Sequence, residues 1–240
     1  MKKVLTKLIL VLLLITAAAC AFCWFRADAV YRNATAELPA EQAAEAYMQK
    51  EVFLPFEEID PDFVNAAVAV EDKRFFERKG YDFIALGRAI YNNLRYGELR
   101  EGGSTIPEQI AKNLYFGPKH RDIWEKLAGV RILYDLEEAY TPEELFALYA
   151  NMNYYGDGYY GLQNAAEGYY GTSASELSLA KAAMLAGLPN APSAYQLSTG
   201  FAYAKKRQEK VLRCMLKNEY ITEKQLEEAL AEDVSPAPKG

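Results

Sequence analysis

Apolar residues follow two regimes along this chain. Between Lys7 and Arg26 eighteen consecutive residues, Leu8 to Phe25, are uncharged and nearly all apolar. As a helix rising about 1.5 Å per residue, that run is long enough to cross a bilayer. Lys2, Lys3 and Lys7 precede it and predict a cytoplasmic N-terminus, while Trp24 and Phe25 sit where an interfacial aromatic belt belongs. Two rival readings exist, a processing site at Ala17-Ala18-Ala19 and a lipid-attachment site at Cys20. The apolar run continues through Cys20, Phe22, Cys23 and Trp24, which favours an uncleaved anchor over residues 1–26.

Beyond Arg26 the apolar positions recur at helical spacing and are punctuated by capping signals. Asp60-Pro61-Asp62 predicts a helix start before residues 63–76. Thr141 with Glu144, Ser173 with Glu176, and Thr222 with Gln225 form three capping boxes ahead of amphipathic runs. The second of these helices should stop near Gly187-Leu188-Pro189. No long alternating pattern appears, and residues 52–56 are at best a short extended piece. The expected fold class is mainly α: one helical domain, residues 51–232, behind one N-terminal transmembrane helix. Residues 27–50 read as a juxtamembrane helix or linker, and 233–240 as a tail, frayed from Val234.

Composition narrows the chemistry. With one histidine, His120, zinc centres and Ser-His-Asp or Cys-His catalysts drop out, and three cysteines cannot make a disulfide framework. The net charge is −6, but the first 26 residues carry four basic side chains and no acid, so the body stands at −10. An acidic body excludes a general nucleic-acid binder, and an anionic ligand would need a local basic site.

Three segments hold candidate chemistry. Glu71 continues an apolar helical face formed by Val64, Ala67, Val68 and Phe75; a desolvated carboxylate there has a raised pKa, suited to a general acid or base. The alternative is a helix-end acid paired with Lys73 or Arg74. Gly102-Gly103-Ser104-Thr105 runs into a helix carrying Gln109, Lys112 and Asn113, and its free N–H groups could receive an anion. A capping box between Thr105 and Glu108 explains the same residues without a ligand. Asn151 to Gly161, rich in Tyr and Gly, suits either sugar stacking or a buried helix connection.

In this order and spacing, Glu71-Asp72-Lys73-Arg74-Phe75, Gly102 to Asn113, Leu148 to Gly161, Ala165 to Gly171 and Leu185 to Pro192 resemble the family 51 peptidoglycan glycosyltransferases. That family includes the monofunctional transglycosylases and the glycosyltransferase domains of class A penicillin-binding proteins. The resemblance spans roughly residues 50–230 and implies a two-lobed, partly lysozyme-like helical domain facing the membrane. It implies polymerisation of lipid II into glycan strands, with Glu71 as general base and a polyprenyl diphosphate as leaving group. Asp72 and Phe75 match residues that shape the cleft. Ser104, Thr105, Gln109, Lys112 and Asn113 match the motif that contacts sugar and diphosphate, and Arg121 and Lys126 match cations near the leaving group. No cofactor is required, although a divalent cation such as magnesium or manganese assists the diphosphate in some members; the sequence shows no metal site. The implied partners are lipid II, nascent glycan strands, the membrane and other cell-wall synthesis proteins.

Four positions depart from the family pattern. Glu125 stands in place of an arginine, Gly129 in place of the second glutamate, Arg78 in place of a histidine and Glu108 in place of a glutamine. Glu108 is expected to add negative charge where the diphosphate should sit; Glu125 or Glu137 could stand in for the missing acid, but on a continuous helix neither occupies the place of position 129. A transferase, a glycan-binding scaffold and a hydrolase using Glu71 as acid all remain open at this stage.

Overall fold

Local sequence sets most of the helix starts. In a computed structural model, which describes residues 2–84, 87, 91, 95, 105–117 and 122–237, the first helix, α1 (Lys2–Thr35), is continuous and long and apolar enough to cross a membrane. It does not stop at Arg26 but runs nine residues further, and α2 (Ala40–Met48) follows a short break. Residues 27–50 are thus the end of one helix and the whole of another.

The C-terminal part of α1 is seated on the body. α5 (Ile123–Ala139) packs along it. Phe22 meets Trp124 edge-on at 5.8 Å and the Arg26 guanidinium lies 5.6 Å from the same indole. Further along, Arg131 pairs with Asp28 and lies 4.1 Å over the Tyr31 ring. The Tyr31 hydroxyl donates to Asp135 Oδ2 at 2.6 Å.

Asp60 caps α3 (Pro61–Glu71) by accepting the Asp62 N–H at 2.8 Å, with Pro61 at the first helical position. The helix ends at Glu71, five residues short of the expected 76. Asp72 leaves helical geometry (φ −154°, ψ 75°) because its carboxylate receives the Ile106 N–H and Arg78 instead. Phe75 is therefore in a short 3-10 turn, Phe75–Glu77, and not on the α3 face, though it is buried. α4 (Ile106–Ala111) follows, tightening into a π-helical turn, Lys112–Phe116, that Gly117 closes.

Thr141 and Glu144 cap α6 (Pro142–Met152) reciprocally, at 3.2 and 2.8 Å. α7 (Leu162–Tyr170) and α8 (Leu179–Gly187) come next. The cap of α8 is Ser178, whose hydroxyl accepts the Lys181 N–H at 3.3 Å, and not Ser173. Ser173 is engaged locally with Ser175 and Glu176 in a turn. α9 (Pro192–Tyr195), the long α10 (Leu197–Lys217) and α11 (Glu223–Ala231) complete the helices. The end of the chain is not frayed at its start: Val234 is buried and the Ala237 N–H donates to Tyr169 O at 2.7 Å.

No strand forms among the described residues; Tyr154 and Tyr160 make one isolated antiparallel bridge. The segment before Phe56 is held by a side chain in place of a sheet. Asn151 accepts the Leu54 N–H at 2.9 Å and donates to Leu54 O at 2.8 Å. Phe146 on α6 is the hub of the core. Its ring meets Phe56, Phe63, Phe75, Phe76 and Tyr149 at centroid distances of 5.7–6.2 Å. Aromatic pairs at this spacing add to the burial of their own area, and here they tie α3, α6 and the 72–77 segment into one block beneath Glu71.

The loop after α6 turns on two glycines with left-handed backbones, Gly156 (φ 86°) and Gly158 (φ 90°). A Cβ at Gly156 would lie 2.9 Å from Pro192 O and 2.8 Å from Gln196 Cβ, whereas one at Gly158 meets nothing within 4 Å. Gly158→Ala is expected to cost only the backbone term, about 1–2 kcal/mol. Gly156→Ala should cost clearly more, because the backbone of α9 must also move. Denaturation midpoints of the two variants in detergent test this, and equal losses would refute the steric role of Gly156.

Candidate active site

Glu71 is the last residue of α3, where the apolar face of Ala67 and Val68 carries it into the interior. Two side chains from distant segments meet it there. Arg207 Nη2 on α10 donates to Glu71 Oε1 at 2.8 Å, and Gln109 Nε2 on α4 donates to Oε2 at 3.0 Å. Only 13% of the Glu71 side chain and 9% of the Arg207 side chain are exposed, so the pair is essentially desolvated. Burial pushes the Glu71 carboxyl above its ordinary value of 4.5; Arg207, the Gln109 amide and Lys210 pull it back, and Asp72 adds to the rise. The result is a carboxyl raised above its ordinary value, each oxygen held by one donor.

Arg207 reaches Glu71 across α8. A Cβ on Gly187 would stand 2.9 Å from Arg207 Cγ and 3.5 Å from Val211 Cγ2, so only glycine lets the arginine stem pass. Arg207 escapes sequence reading because it lies in a basic run, Lys205-Lys206-Arg207, where its neighbours point outward. The usable signal was its period: Ala204, Arg207, Gln208, Val211 and Leu212 fall on one buried face of α10.

Asp72, also buried, ties three segments together. Its Oδ2 accepts the Ile106 N–H at 3.3 Å and an Arg78 guanidinium hydrogen bond. Arg78 in turn donates to Gly80 O and faces Asp82 and Glu137, at 3.7 and 3.9 Å. Arg78 thus sets one cation among three carboxyls, Asp72, Asp82 and Glu137. Burial raises the carboxyls of Asp72 and Glu137 above their ordinary values, opposed by Arg78 in both.

The other expected residues are distributed unevenly. Thr105 is buried at the N-terminus of α4, where Glu108 turns back to accept its N–H at 2.7 Å and its hydroxyl at 3.2 Å. The Glu108 carboxylate is therefore held in the capping box that the sequence offered as the alternative reading. Glu125 is held likewise, accepting at 3.1 Å the N–H of Asp122, the cap of α5, in a second capping box. Asn113 donates to Asn153 Oδ1 at 3.2 Å, joining the second motif to the loop after α6. Lys112 is half-buried in the π turn and Lys126 exposed on α5. Ser104 and Arg121 lie outside the described residues.

Gly129 is buried in α5, and Glu137 stands eight residues further on. That is about 12 Å along the helix, and Glu137 accepts the Gly80 N–H there. It does not replace an acid at position 129. Asn151 and Tyr155 of the Tyr/Gly run are buried and structural, while Tyr154 and Tyr160 stack with centroids 4.6 Å apart and Tyr160 is exposed. Among the described residues no group of three or more His, Cys, Asp or Glu side chains could hold a metal.

The family model described as Transglycosylase matches residues 39–216 of this chain. A Cupriavidus necator protein named "Putative transglycosylase" is 38% identical over 83% of this chain and 85% of its own length. Penicillin-binding protein 1A of Aquifex aeolicus is 38% identical over 76% of this chain and 25% of its own. Penicillin-binding protein 2D of Bacillus subtilis is 35% identical over 80% and 28%. The chain spans about a quarter of the length of these two penicillin-binding relatives.

The raised Glu71 value has a consequence for stability. Folding favours the neutral carboxyl, so its contribution is full below the ordinary 4.5 and is lost as pH rises through the raised value. Glu71→Gln keeps the neutral form at every pH. Its unfolding free energy relative to wild type should therefore improve as pH rises from the ordinary 4.5 through the raised value, and then level off. Parallel denaturant titrations across that range read the difference; a flat or opposite trend would show that Arg207 outweighs burial.

Proposed function

The chain belongs to the transglycosylase family, and from that premise we propose that it is a peptidoglycan glycosyltransferase that polymerises lipid II with Glu71 as general base. The observation that carries this reading is the desolvated Glu71 held between Arg207 and Gln109 at the end of α3. In the proposed reaction Glu71 accepts the proton of the 4-hydroxyl of the acceptor lipid II. That oxygen bonds to the anomeric carbon of the growing strand, and the anomeric carbon–oxygen bond to the diphosphate breaks. The electron pair leaves with the polyprenyl diphosphate. Lys112 and Lys126, with Arg121 outside the described residues, are the cations assigned to that developing charge.

One carboxylate suffices in this scheme. Glycoside hydrolysis requires a second acid because a sugar alkoxide leaves poorly, whereas a diphosphate leaves without protonation. Gly129 then removes a positioning contact rather than the base. Its uncharged, buried place on α5 is the one observation favouring the second reading, a scaffold that binds glycan or lipid II without turnover. In the proposed arrangement α1 crosses the cell membrane once with its N-terminus in the cytoplasm, and the domain acts outside on lipid-borne substrate, alongside other wall-building proteins. Cofactors are not required, and no step is routed through a metal.

Glycan-strand formation from labelled lipid II by the full-length protein tests the proposal. Wild type should yield polymer and Glu71→Gln at least about 10²-fold less, the scale of a lost general base. Gly129→Glu should match or exceed wild type. A folded wild type that makes no polymer, with polymer from Gly129→Glu alone, would replace the transferase by the scaffold.

A further inference from the structure

The tyrosines of the run after α6 divide into two groups. Tyr155 is buried and structural, whereas Tyr159 and Tyr160 form a surface cleft with α7. The cleft has a volume of about 460 Å³ and is lined by Gly158, Tyr159, Tyr160, Asn164, Glu167 and Gly168. Both rings are fixed in place. The Tyr159 hydroxyl donates to Gly168 O at 3.2 Å, and its ring meets Tyr169 edge-on at 4.8 Å. A Cβ at Gly168 would run into the Tyr159 ring, so glycine is what lets that ring lie against α7. Tyr160 is 61% exposed; its ring leans on Tyr154 at 4.6 Å, and the Tyr154 hydroxyl accepts the Gly158 N–H at 3.1 Å. On α7, Asn164 Nδ2 donates to Tyr160 O at 2.7 Å and Gln163 donates to Glu167 Oε1 at 2.6 Å.

A lone exposed tyrosine needs no explanation. Two immobilised rings beside an amide and a carboxylate are a different case, because their chemistry is that of a pyranose site. The electron-rich face of a phenol ring attracts the C–H bonds on one face of a sugar. Asn164 offers a donor and an acceptor to hydroxyl and acetamido groups, and Glu167 offers acceptors. No lysine or arginine is among the described lining residues, and Glu167 would repel an anion, so the cleft suits an uncharged sugar and not a diphosphate. Because both rings are already held, little side-chain freedom is lost on binding. The cleft is also tied to the candidate active site. The Gly161 N–H donates to Asn153 O at 2.9 Å, and Asn153 Oδ1 receives Asn113 of the second motif at 3.2 Å.

We propose that this cleft is a binding site for a 1,4-linked strand of N-acetylated sugars, with Tyr160 as its stacking platform and Asn164 and Glu167 as its polar contacts. The inference rests on the transferase reading only for the strand being the protein's own product; the site itself stands on the cleft. A strand held there would stay with the domain from one addition to the next.

Chitotetraose, a lipid-free 1,4-linked oligomer of N-acetylglucosamine, titrated into the full-length protein in detergent tests this. Ring-¹³C-labelled tyrosine reports the contact, and the Tyr160 signal is identified by its absence from Tyr160→Phe. In wild type that signal should shift and saturate. Tyr160→Ala should weaken binding by about tenfold, the scale of a lost ring contact, and Asn164→Ala should weaken it as well. Tyr160→Phe, which keeps the ring, should bind more tightly than Tyr160→Ala. Because Tyr160 is exposed, its variants should keep the wild-type melting temperature, which separates a lost contact from a lost fold. Where wild type polymerises lipid II, strands from Tyr160→Ala should be shorter than those from Tyr160→Phe. A Tyr160 signal that chitotetraose does not move, or binding that survives Tyr160→Ala, overturns the proposal. Because the titration needs no turnover, a wild type that binds the oligomer but makes no polymer would strike the transferase reading and leave the sugar site standing.

Discussion

A carboxylate cannot be carried into a protein interior alone; the charge must find a partner or be lost. Much of this domain follows from meeting that condition at Glu71. α3 has to stop where the acid arrives, and it stops because Asp72 turns away to hold the N-terminus of α4. That contact sets the helix from which Gln109 reaches Glu71. α10 has to return across α8 to bring Arg207, and Gly187 is the gap that admits its stem. The partners come from positions 38 and 136 residues along the chain from Glu71, so the site exists only when the whole domain is assembled.

The departures from the family pattern read differently once placed in space. Glu108, read as a charge near an anionic ligand, and Glu125, read as a stand-in for a missing acid, are each turned back onto a helix N-terminus. Arg78 is the larger change. It brings a permanent cation into a cluster of Asp72, Asp82 and Glu137, where a histidine would carry charge only at lower pH. At Gly129 the expected acid would have no stand-in in Glu137, which is engaged with Gly80 and Arg78.

The helical architecture was legible because its signals are local. Asp60-Pro61, Thr141 with Glu144 and Thr222 with Gln225 are caps that form between residues three apart or fewer, and each stands where it was expected. Ser173 misled because Ser178, five residues on, offers the same chemistry and only the packing of α8 distinguishes them. Glu71 could be picked out from its apolar stripe, whereas Phe75 fell off that stripe once Asp72 broke the helix. Arg207 was not legible. Its significance comes from a tertiary contact that no spacing within one helix encodes.

The seating of α1 on α5 changes what a membrane helix does for such a domain. A polar linker would act as a leash, letting the domain tumble above its anchor. Here the helix is unbroken from Lys2 to Thr35, and Trp124, Arg131 and Asp135 grip it through Phe22, Arg26, Asp28 and Tyr31. In the anchored arrangement the two move as a lever. Transmembrane helices tilt by about 20° on average, and the tilt adjusts to bilayer thickness. Any such tilt swings α5, and with it Lys126 and Gly129, relative to the plane in which lipid-borne substrates diffuse. In the proposed membrane arrangement the thickness of the surrounding bilayer would set how the domain leans over the lipid surface.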